Sequence, residues 1–290
     1  MRLEQHGLAP IMPWVFVFLW SSGVIFVDIG LRDAGPLSFL AVRLLASAVF
    51  LWIVCFWIRP PFPKDRATWQ SLVVTGLLLQ AGYQIFFFYA LAHGVSPGLL
   101  AIILGIQPLM TAVLTRGHLT AVQWLGLLLG MLGLGLVVAN SLFIEQIGVI
   151  GVTSAVLAMI SITIGTLLQK KSTTNLFASM AIQYTGSAIV LTVLAWGLEH
   201  WAIHWTAMFV IALTWMVLII SVGATLVLYA MLRTGAVVNV VSVFYGVPPV
   251  TALLAYIVLG TPLHTITLLG MAFVVSALVL VNRKTRTISK

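Results

Sequence analysis

Three glutamines and a tyrosine stand inside stretches of chain that are otherwise apolar. Gln80, Tyr83 and Gln84 lie within one such stretch, and Gln107 lies within the next, beside Pro108. Hydrocarbon offers no water to a side-chain amide, so amides at membrane depth must face a protein interior or a wet cavity. Pro108 also removes one backbone hydrogen bond and leaves the Leu104 carbonyl without its donor. Polar side chains beside a broken helix are typical of a solute site inside a membrane protein.

Helical spacing selects the further candidates for this site. Gln80 and Tyr83 share one helical face with Phe87. A lone Ser or Thr commonly bonds its own helix or a neighbouring one, whereas a buried amide needs several partners, so the glutamines are the stronger candidates. Tyr83 is expected to form a stacking or hydrogen-bonding wall. The residues predicted to bind substrate are Trp20, Ser21, Gln80, Tyr83, Gln84, Gln107, Thr163, Asn239 and Ser242.

Two charged residues are embedded near one end of the first two apolar stretches. A short loop joins these stretches, so Asp28 and Arg43 could reach each other. An ion pair in the outer vestibule is the preferred interpretation, because a lone charge costs about 2.5–3.5 kcal/mol at the bilayer centre. Binding of a substrate carboxylate by Arg43 is the alternative.

Other chemistries lack the residues that they need. His200 and His204 have the spacing of helical metal ligands, but no third ligand accompanies them. Cys55 is the single cysteine and lies in an apolar run. No nucleophile–base pair lies within the apolar stretches. The sequence therefore predicts a protein that is not an enzyme and that uses no metal or cofactor.

Composition indicates the class of protein. Of the 290 residues, 61% are hydrophobic and only 7% are charged, and the mean hydropathy is +1.16. A water-soluble domain could not bury so much apolar surface, which indicates a polytopic membrane protein in a lipid bilayer. The net charge of +8 is spread over short clusters between apolar runs, so no nucleic-acid partner is expected.

The pattern of apolar runs predicts an all-α integral membrane protein with ten transmembrane helices. Their expected spans are 11–30, 37–58, 69–91, 97–115, 120–139, 148–169, 175–197, 207–231, 236–257 and 264–282.

Lysine and arginine predict the orientation of these helices. With the N-terminus inside, the inner segments hold 12 of the 14 basic residues: Arg2, Arg59, Lys64, Arg66, Arg116, Lys170, Lys171, Arg233, Arg283, Lys284, Arg286 and Lys290. Basic residues favour the cytoplasmic side. Both termini are therefore expected in the cytoplasm, with the protein in the inner (plasma) membrane.

The two halves of the chain resemble each other. Tyr89-Ala90-Leu91 matches Tyr229-Ala230-Met231, and a proline, Pro108 or Pro248, follows each tyrosine by nineteen residues. Because each half has an odd number of helices, five, the second half enters the membrane in the opposite orientation to the first. We therefore predict two inverted five-helix repeats, residues 1–144 and 145–290, around a central cavity. Pro108, Pro248 and Pro249 are the predicted hinges.

Several of these features together resemble a known family. Trp20-Ser21-Ser22-Gly23, Arg43 after Pro36, Tyr89-Ala90-Leu91, Pro108 and Lys170-Lys171 resemble, in order and spacing, the ten-helix EamA-like branch of the drug/metabolite transporter (DMT) superfamily. The resemblance extends over the whole chain and implies a pseudo-twofold bundle that exports small metabolites. Within this branch, the chain resembles bacterial aromatic amino-acid exporters. Ser21 replaces the usual glycine after the helix-one tryptophan.

The predicted substrates follow from the charge inventory. The central stretches hold amides, hydroxyls and rings, and a mid-helix carboxylate is absent from them. Such groups suit neutral or zwitterionic metabolites, above all amino acids, aromatic ones included. The expected mechanism is export by alternating access down the solute's own gradient, by a monomer or weak dimer. The alternative is an exporter of other small metabolites or drugs by proton antiport.

Overall fold

Helices dominate the computed structural model, which describes residues 11–116, 119–139, 148–259 and 263–282. These residues form ten apolar helices. In chain order they are α1 Met12–Leu31, α2 Pro36–Ile58, α3 Arg66–Ala92, α4 Pro97–Leu114, α5 Ala121–Val137, α6 Val149–Lys171, α7 Leu176–Glu199, α8 Ala207–Thr234, α9 237–259 and α10 Thr265–Val281. Each lies within three residues, at either end, of a span that the sequence predicts. The repeat boundary at 144/145 and the terminal basic residues Arg2, Arg283, Lys284, Arg286 and Lys290 lie outside the described residues.

Eight of these helices are long and apolar enough to cross a membrane. The exceptions are α5 and α10, which have 17 residues each. At about 1.5 Å per residue, each of these two is about 25 Å long, against a hydrocarbon thickness of about 30 Å. The architecture is thus that of a multi-pass membrane protein with eight candidate spans, and the count of ten spans stays a prediction.

Contacts between the turns define two ends of the bundle. At the first, which we call the Asp33 end, the turn at 32–35 meets the segment 200–206: the His204 N–H donates to the Asp33 carbonyl (2.8 Å) and the Thr206 hydroxyl to the Asp33 carboxylate (2.7 Å). At the second, the Lys64 end, which includes the turn at 59–65, Lys170 Nζ donates to the Gly235 carbonyl (2.9 Å). Helices run alternately between these ends.

Local chemistry explains where several helices begin. The hydroxyls of Ser96, Thr120 and Thr206 accept N–H groups in the first turns of α4, α5 and α8, as N-cap side chains do. Asp65 caps α3 by accepting the Thr68 N–H at 2.7 Å, and this hydrogen bond holds the pKa of the Asp65 carboxyl below its ordinary value. These caps fix the register with which each helix enters the bundle.

Two helices contain a widened π-helical segment halfway along. It comprises Leu77–Gly82 in α3 and Met216–Ala224 in α8. Widening displaces backbone carbonyls from their usual partners, and another helix supplies a donor in each case. Ser161 of α6 donates to the Leu78 carbonyl (2.9 Å), and Tyr184 of α7 donates to the Ser221 carbonyl (2.6 Å). Irregular backbone at this depth is therefore satisfied by protein, as a membrane interior requires.

Two other helices are interrupted beside prolines. Helix α4 breaks at Ile106, between Pro97–Gly105 and Gln107–Leu114. Helix α9 consists of Val237–Ser242, a 3-10 turn at Val243–Gly246, and Val247–Leu259. Neither helix has a regular α-helical backbone through its centre.

Glycines bring α5 and α10 into close contact. A Cβ atom placed on Gly133 would lie 2.9 Å from the Gly270 carbonyl oxygen, and one on Gly270 would lie 2.6 Å from the Val137 nitrogen. Both are closer than a Cβ can approach, so the two backbones pack directly on each other.

Candidate functional site

A cavity of about 410 Å³ lies among α1, α2, α3, α6, α8 and the centre of α9. Its polar wall includes Arg43, Gln80 and Gln84, and its lining continues to Leu31 and Leu91 in the last turns of α1 and α3. The cavity therefore extends from the middle of the bundle to the Asp33 end.

A second cavity of about 450 Å³ adjoins the first and shares several wall residues with it, including Trp20, Tyr83, Phe87 and Phe244. Its remaining lining comes from α4, α5 and α9 and includes Gln107, Pro108, Pro248, Tyr245 and Thr251. The two cavities form adjacent compartments on either side of an aromatic wall. In the wall, the rings of Trp20 and Phe244 meet edge to face at 5.4 Å.

The π segment of α3 positions the polar side chains of the first compartment. Gln80 lies in this segment and Gln84 in the turn after it, where its amide donates to the Gln80 carbonyl at 2.6 Å. Tyr83 lies between them, half-buried, and faces both compartments. The structure brings these three predicted residues together with Trp20.

Arg43 belongs to the cavity, and the predicted ion pair with Asp28 is not formed. Its side chain, 6% exposed, reaches from α2 to α8 and α3. Nε donates to the Ser221 hydroxyl (2.9 Å) and Nη1 to the Gln84 amide oxygen (3.1 Å). Both partners are neutral, so among the described residues no carboxylate pairs with the guanidinium charge at the cavity wall.

Asp28 is paired on its own helix instead. Its carboxylate accepts a hydrogen bond from Arg32 at 2.7 Å, and both side chains are largely exposed, at 69% and 72%. The spacing of four residues places Asp28 and Arg32 on one helical face, which favours this pair over one with the buried Arg43. Asp28 lines the mouth of the first compartment.

Three predicted hydroxyls bond to backbone carbonyls and line neither compartment. Ser21 donates to the Val247 carbonyl beside the break in α9 (3.1 Å), Thr163 to Met159 (2.7 Å), and Ser242 to Asn239 (2.8 Å). Asn239 also lies outside both linings. The structure thus places these four residues in the helical framework around the cavities.

Gln107 lines the second compartment, and its amide is 3.5 Å from the Thr166 hydroxyl of α6. Thr166, Tyr229, Tyr245 and Thr251 are cavity residues that sequence reasoning missed. Thr166 is one helical turn from the predicted Thr163. Tyr229 belongs to the matched segment Tyr229-Ala230-Met231, and Thr251 lies three residues after the matched Pro248. Helical spacing and the similarity of the two halves could therefore have identified these three residues, whereas no pattern in the sequence indicated Tyr245.

Each predicted hinge proline follows an interruption in its helix directly. Pro108 comes two residues after the break at Ile106, and Pro248 two residues after the 3-10 turn in α9. Pro108 and Pro248 line the second compartment, whereas Pro249 does not. Their action as hinges stays a prediction.

A buried polar cluster lies between the cavity and the Lys64 end. The Tyr229 hydroxyl donates to the Gln183 amide oxygen (2.6 Å), and the Gln183 amide nitrogen donates to Gln169 (2.7 Å) and Ser179 (2.9 Å). Tyr229, Gln183 and Gln169 are each at most 1% exposed. The cluster joins α6, α7 and α8 and separates the cavity from this end.

A bundle of apolar helices around two internal compartments is the architecture of a multi-pass membrane protein, and known transporters resemble this chain. Residues 10–139 match the EamA-like transporter family. The uncharacterized transporter YvbV of Bacillus subtilis (strain 168) is 28% identical over 283 residues, which cover 93% of this chain and 90% of that protein. An uncharacterized transporter of Synechocystis (sll0355) is 26% identical over 137 residues, 46% of this chain and 40% of that relative.

A solved crystal structure shows the same fold. It superimposes with a TM-score of 0.80 at 16% identity and covers 94% of this chain and 96% of its own. By these comparisons, the chain is similar to EamA-like membrane transporters. The relatives are named as transporters, in agreement with the expectation that the chain is not an enzyme.

Proposed function

We propose that this protein moves small neutral or zwitterionic metabolites out of the cell, with amino acids, aromatic ones included, as its substrates. The observation that carries the proposal is the cavity itself. It combines amides (Gln80, Gln84), a guanidinium (Arg43) and aromatic walls (Trp20, Tyr83). Amides and a single cation can bind the polar end of an amino acid, and the rings can contact its apolar side chain.

The repeat of elements along the chain supports ten spans in two inverted halves. Adding 140 to the limits of α2, Pro36–Ile58, gives 176–198, against Leu176–Glu199 for α7. The same shift carries the π segment Leu77–Gly82 to 217–222, inside Met216–Ala224, and Pro108 onto Pro248. Helices α5 and α10 occupy equivalent places and have equal lengths. On this proposal, both cross the membrane.

The distribution of charge supports the orientation. Of the described basic residues at or near the helix ends, one lies at the Asp33 end, Arg32, and the others lie at the Lys64 end: Arg59, Lys64, Arg66, Arg116, Lys170, Lys171 and Arg233. Positive charge favours the cytoplasm. The Lys64 end is therefore proposed to face the cytoplasm, with both termini there and the protein in the inner membrane as a monomer or weak dimer.

Alternating access is the proposed mechanism. In the described conformation, the first compartment reaches the Asp33 end and the Tyr229–Gln183–Gln169 cluster closes the path to the Lys64 end. This is the outward-facing arrangement. Rocking one five-helix repeat against the other, while the helices within each repeat exchange their open and closed arrangements, would open the opposite path. Asp28, the carboxylate in the described lining of the first compartment, is paired with Arg32, so transport without proton coupling is proposed.

Counterflow into proteoliposomes tests the function. Liposomes loaded with one unlabelled amino acid should accumulate the labelled form transiently, in a panel that spans aromatic, aliphatic and charged side chains. Tyr83→Ala and Gln80→Ala should each reduce the initial rate at least about tenfold, because each removes a contact with the solute.

Matched controls come from the same helix. Tyr89 is half-exposed beside His93, and Gln70 is exposed near the start of α3. Tyr89→Ala and Gln70→Ala should transport at the rate of the unsubstituted protein. Absence of counterflow for every solute in the panel would reject amino-acid transport.

A further inference from the structure

The guanidinium of Arg43 is a buried charge without a counter-charge. In residues 11–116, 119–139, 148–259 and 263–282, the ion pair within 4 Å is Asp28–Arg32, and Arg43 has no such partner. An isolated cation in a water-poor interior is unfavourable unless charge or several hydrogen bonds compensate it. Arg43 bonds two neutral oxygens and lines the cavity, so an anion in the cavity would supply the compensation.

The other donors of the guanidinium remain for that anion. A guanidinium has five N–H groups, and the Ser221 and Gln84 bonds use one at Nε and one at Nη1. These two bonds hold the group at two points, to α8 and to α3. A guanidinium held rigidly at a cavity wall suits recognition of a planar carboxylate.

The surrounding wall limits the anion to one with a single charge and an apolar body. Among the described residues that line the two compartments, Arg43 is the one cationic side chain, and it lines the first compartment. Phosphate esters carry up to two negative charges and are typically held by several donors or cations. Trp20, Tyr83, Phe87 and Phe244 form the nearby wall, and flat apolar groups pack well against such rings.

The geometry points to recognition of apolar monocarboxylates, with Arg43 binding the carboxylate and the aromatic wall binding the body. This inference rests on the proposed function and refines it: the carboxylate of an amino acid is required for binding, and its ammonium is not. The nearest carboxylate in the described lining, Asp28, has Arg32 as its partner at the cavity mouth, which leaves the centre without an anion to bind an ammonium.

Binding to the purified full-length protein in nanodiscs tests the inference separately from transport. Four probes share a phenyl ring: L-phenylalanine, 3-phenylpropionate, phenethylamine and phenylphosphonate. Trp20 lies in the wall, so tryptophan fluorescence and calorimetry can both report binding. We expect 3-phenylpropionate to bind within about threefold of phenylalanine, and phenethylamine and phenylphosphonate to bind at least about tenfold more weakly. Equal binding of phenethylamine and 3-phenylpropionate would overturn the inference.

Two variants assign the effect to Arg43. Arg43→Gln removes the charge and should weaken 3-phenylpropionate roughly 10- to 100-fold, the loss expected for a charge-assisted hydrogen bond. Gln84→Glu leaves Arg43 in place but adds a carboxylate where the Gln84 oxygen already accepts from it. The variant also removes the amide that donates to the Gln80 carbonyl, so its fold is verified by its melting temperature, and it should weaken carboxylate binding. Arg66→Gln, at an exposed arginine at the start of α3, is the matched control and should bind as the unsubstituted protein does.

The outcomes separate the two proposals. If 3-phenylpropionate binds and depends on Arg43 while counterflow finds no amino acid transported, the inference stands and the proposed function fails. If amino acids are transported but Arg43→Gln and Gln84→Glu both bind 3-phenylpropionate normally, the inference fails and the proposed function stands. Should Arg43→Gln not fold, the binding of the four probes to the unsubstituted protein and to Gln84→Glu still tests whether Arg43 recognises a carboxylate.

Discussion

Tyr245 and Thr251 line the second compartment with hydroxyls that have no hydrogen-bond partner among the described residues. A buried hydroxyl without a partner costs about 1–3 kcal/mol relative to a satisfied one. Neighbouring side chains show the usual arrangement: the buried Tyr184 hydroxyl donates to the Ser221 carbonyl at 2.6 Å. Both hydroxyl oxygens are buried even from the space inside the compartment, so in this conformation they carry a desolvation cost that no hydrogen bond among the described residues offsets.

Replacing Tyr245 by Phe should therefore leave stability unchanged or raise it. The hydroxyl that is lost makes no bond, so its removal ends a desolvation cost. Tyr184→Phe, the control, should lower the melting temperature because it leaves the Ser221 carbonyl without its donor. Equal destabilisation by the two variants would contradict this account.

Residue type predicted the amide and aromatic part of the site but not the contacts of Arg43. Gln80, Tyr83, Gln84 and Gln107 were predictable because a polar group in an apolar helix has few places to go. The neighbours of Arg43 depend on how far α2 is rotated and how closely α8 approaches it, and neither follows from the sequence of α2. The Asp28–Arg32 pair, by contrast, was readable from its spacing of four residues.

At the scale of elements, the break in α4 determines where that helix can bend. Pro108 has no N–H to donate to the Leu104 carbonyl, and the chain leaves the helical path at Ile106. Both sides of the break contribute to the second compartment, through Leu104, Gly105, Gln107 and Pro108. A change of angle at Ile106 would therefore change the shape of that compartment.

Replacing Pro108 by Ala should stabilise the helix and slow transport. Alanine supplies an N–H that can bond the Leu104 carbonyl, so the helix can continue through the break at Ile106. We expect an equal or higher melting temperature together with at least a roughly threefold slower counterflow, measured at matched expression. Pro36→Ala is the control, because Pro36 occupies the first position of α2, where no N–H bond is lost. An unchanged rate for Pro108→Ala would show that the break is not a hinge.

Helix limits were predictable and the π segments were not, for different physical reasons. The limits follow from apolar length and from caps such as Ser96 and Asp65, each of which directly precedes the helix that it caps. The segment Leu77–Gly82 is stabilised in part by Ser161, a donor 83 residues further along the chain. Helix periodicity within α3 carries no information about that donor.

At the scale of the whole molecule, the proposed orientation can be tested with cysteine chemistry. Cys55 is the single cysteine and is buried, so a Cys55→Ala background is free of thiols. His204→Cys at the Asp33 end should react with a membrane-impermeant maleimide added to intact cells, and Lys64→Cys at the other end should react only after permeabilisation. Both native residues are exposed, so burial does not confound the comparison. The reverse pattern would invert the proposed orientation.

The relation between the halves gives the closed end a physical interpretation. A shift of 140 residues carries Arg43 of α2 onto Gln183 of α7. In the described conformation, Arg43 lies at an open cavity, whereas Gln183 is 0% exposed in a closed cluster with Tyr229 and Gln169. Inverted repeats can exchange conformations, so the second state would close the helices around Arg43 and open those around Gln183. The buried Gln169 amide nitrogen has no hydrogen-bond partner among the described residues, as in a cluster that is not fully satisfied in its closed form.

We therefore expect a saturating substrate to move the two ends in opposite directions. Spin labels at Lys171 and Thr234, both exposed beside the closed cluster, should show a population at longer separation. Labels at Arg32 and Ala92, across the cavity mouth, should show one at shorter separation. Pulsed electron paramagnetic resonance in nanodiscs on the Cys55→Ala background measures both distances.

Tyr229→Phe removes the 2.6 Å bond to Gln183. Without substrate, this variant should increase the population at the longer Lys171–Thr234 distance roughly 2- to 10-fold, the effect of one neutral hydrogen bond. Tyr256→Phe, at an exposed tyrosine of α9, should leave both distributions as they are. Distances that stay fixed at both ends, or that lengthen at both, would contradict alternating access by exchange of the two repeats.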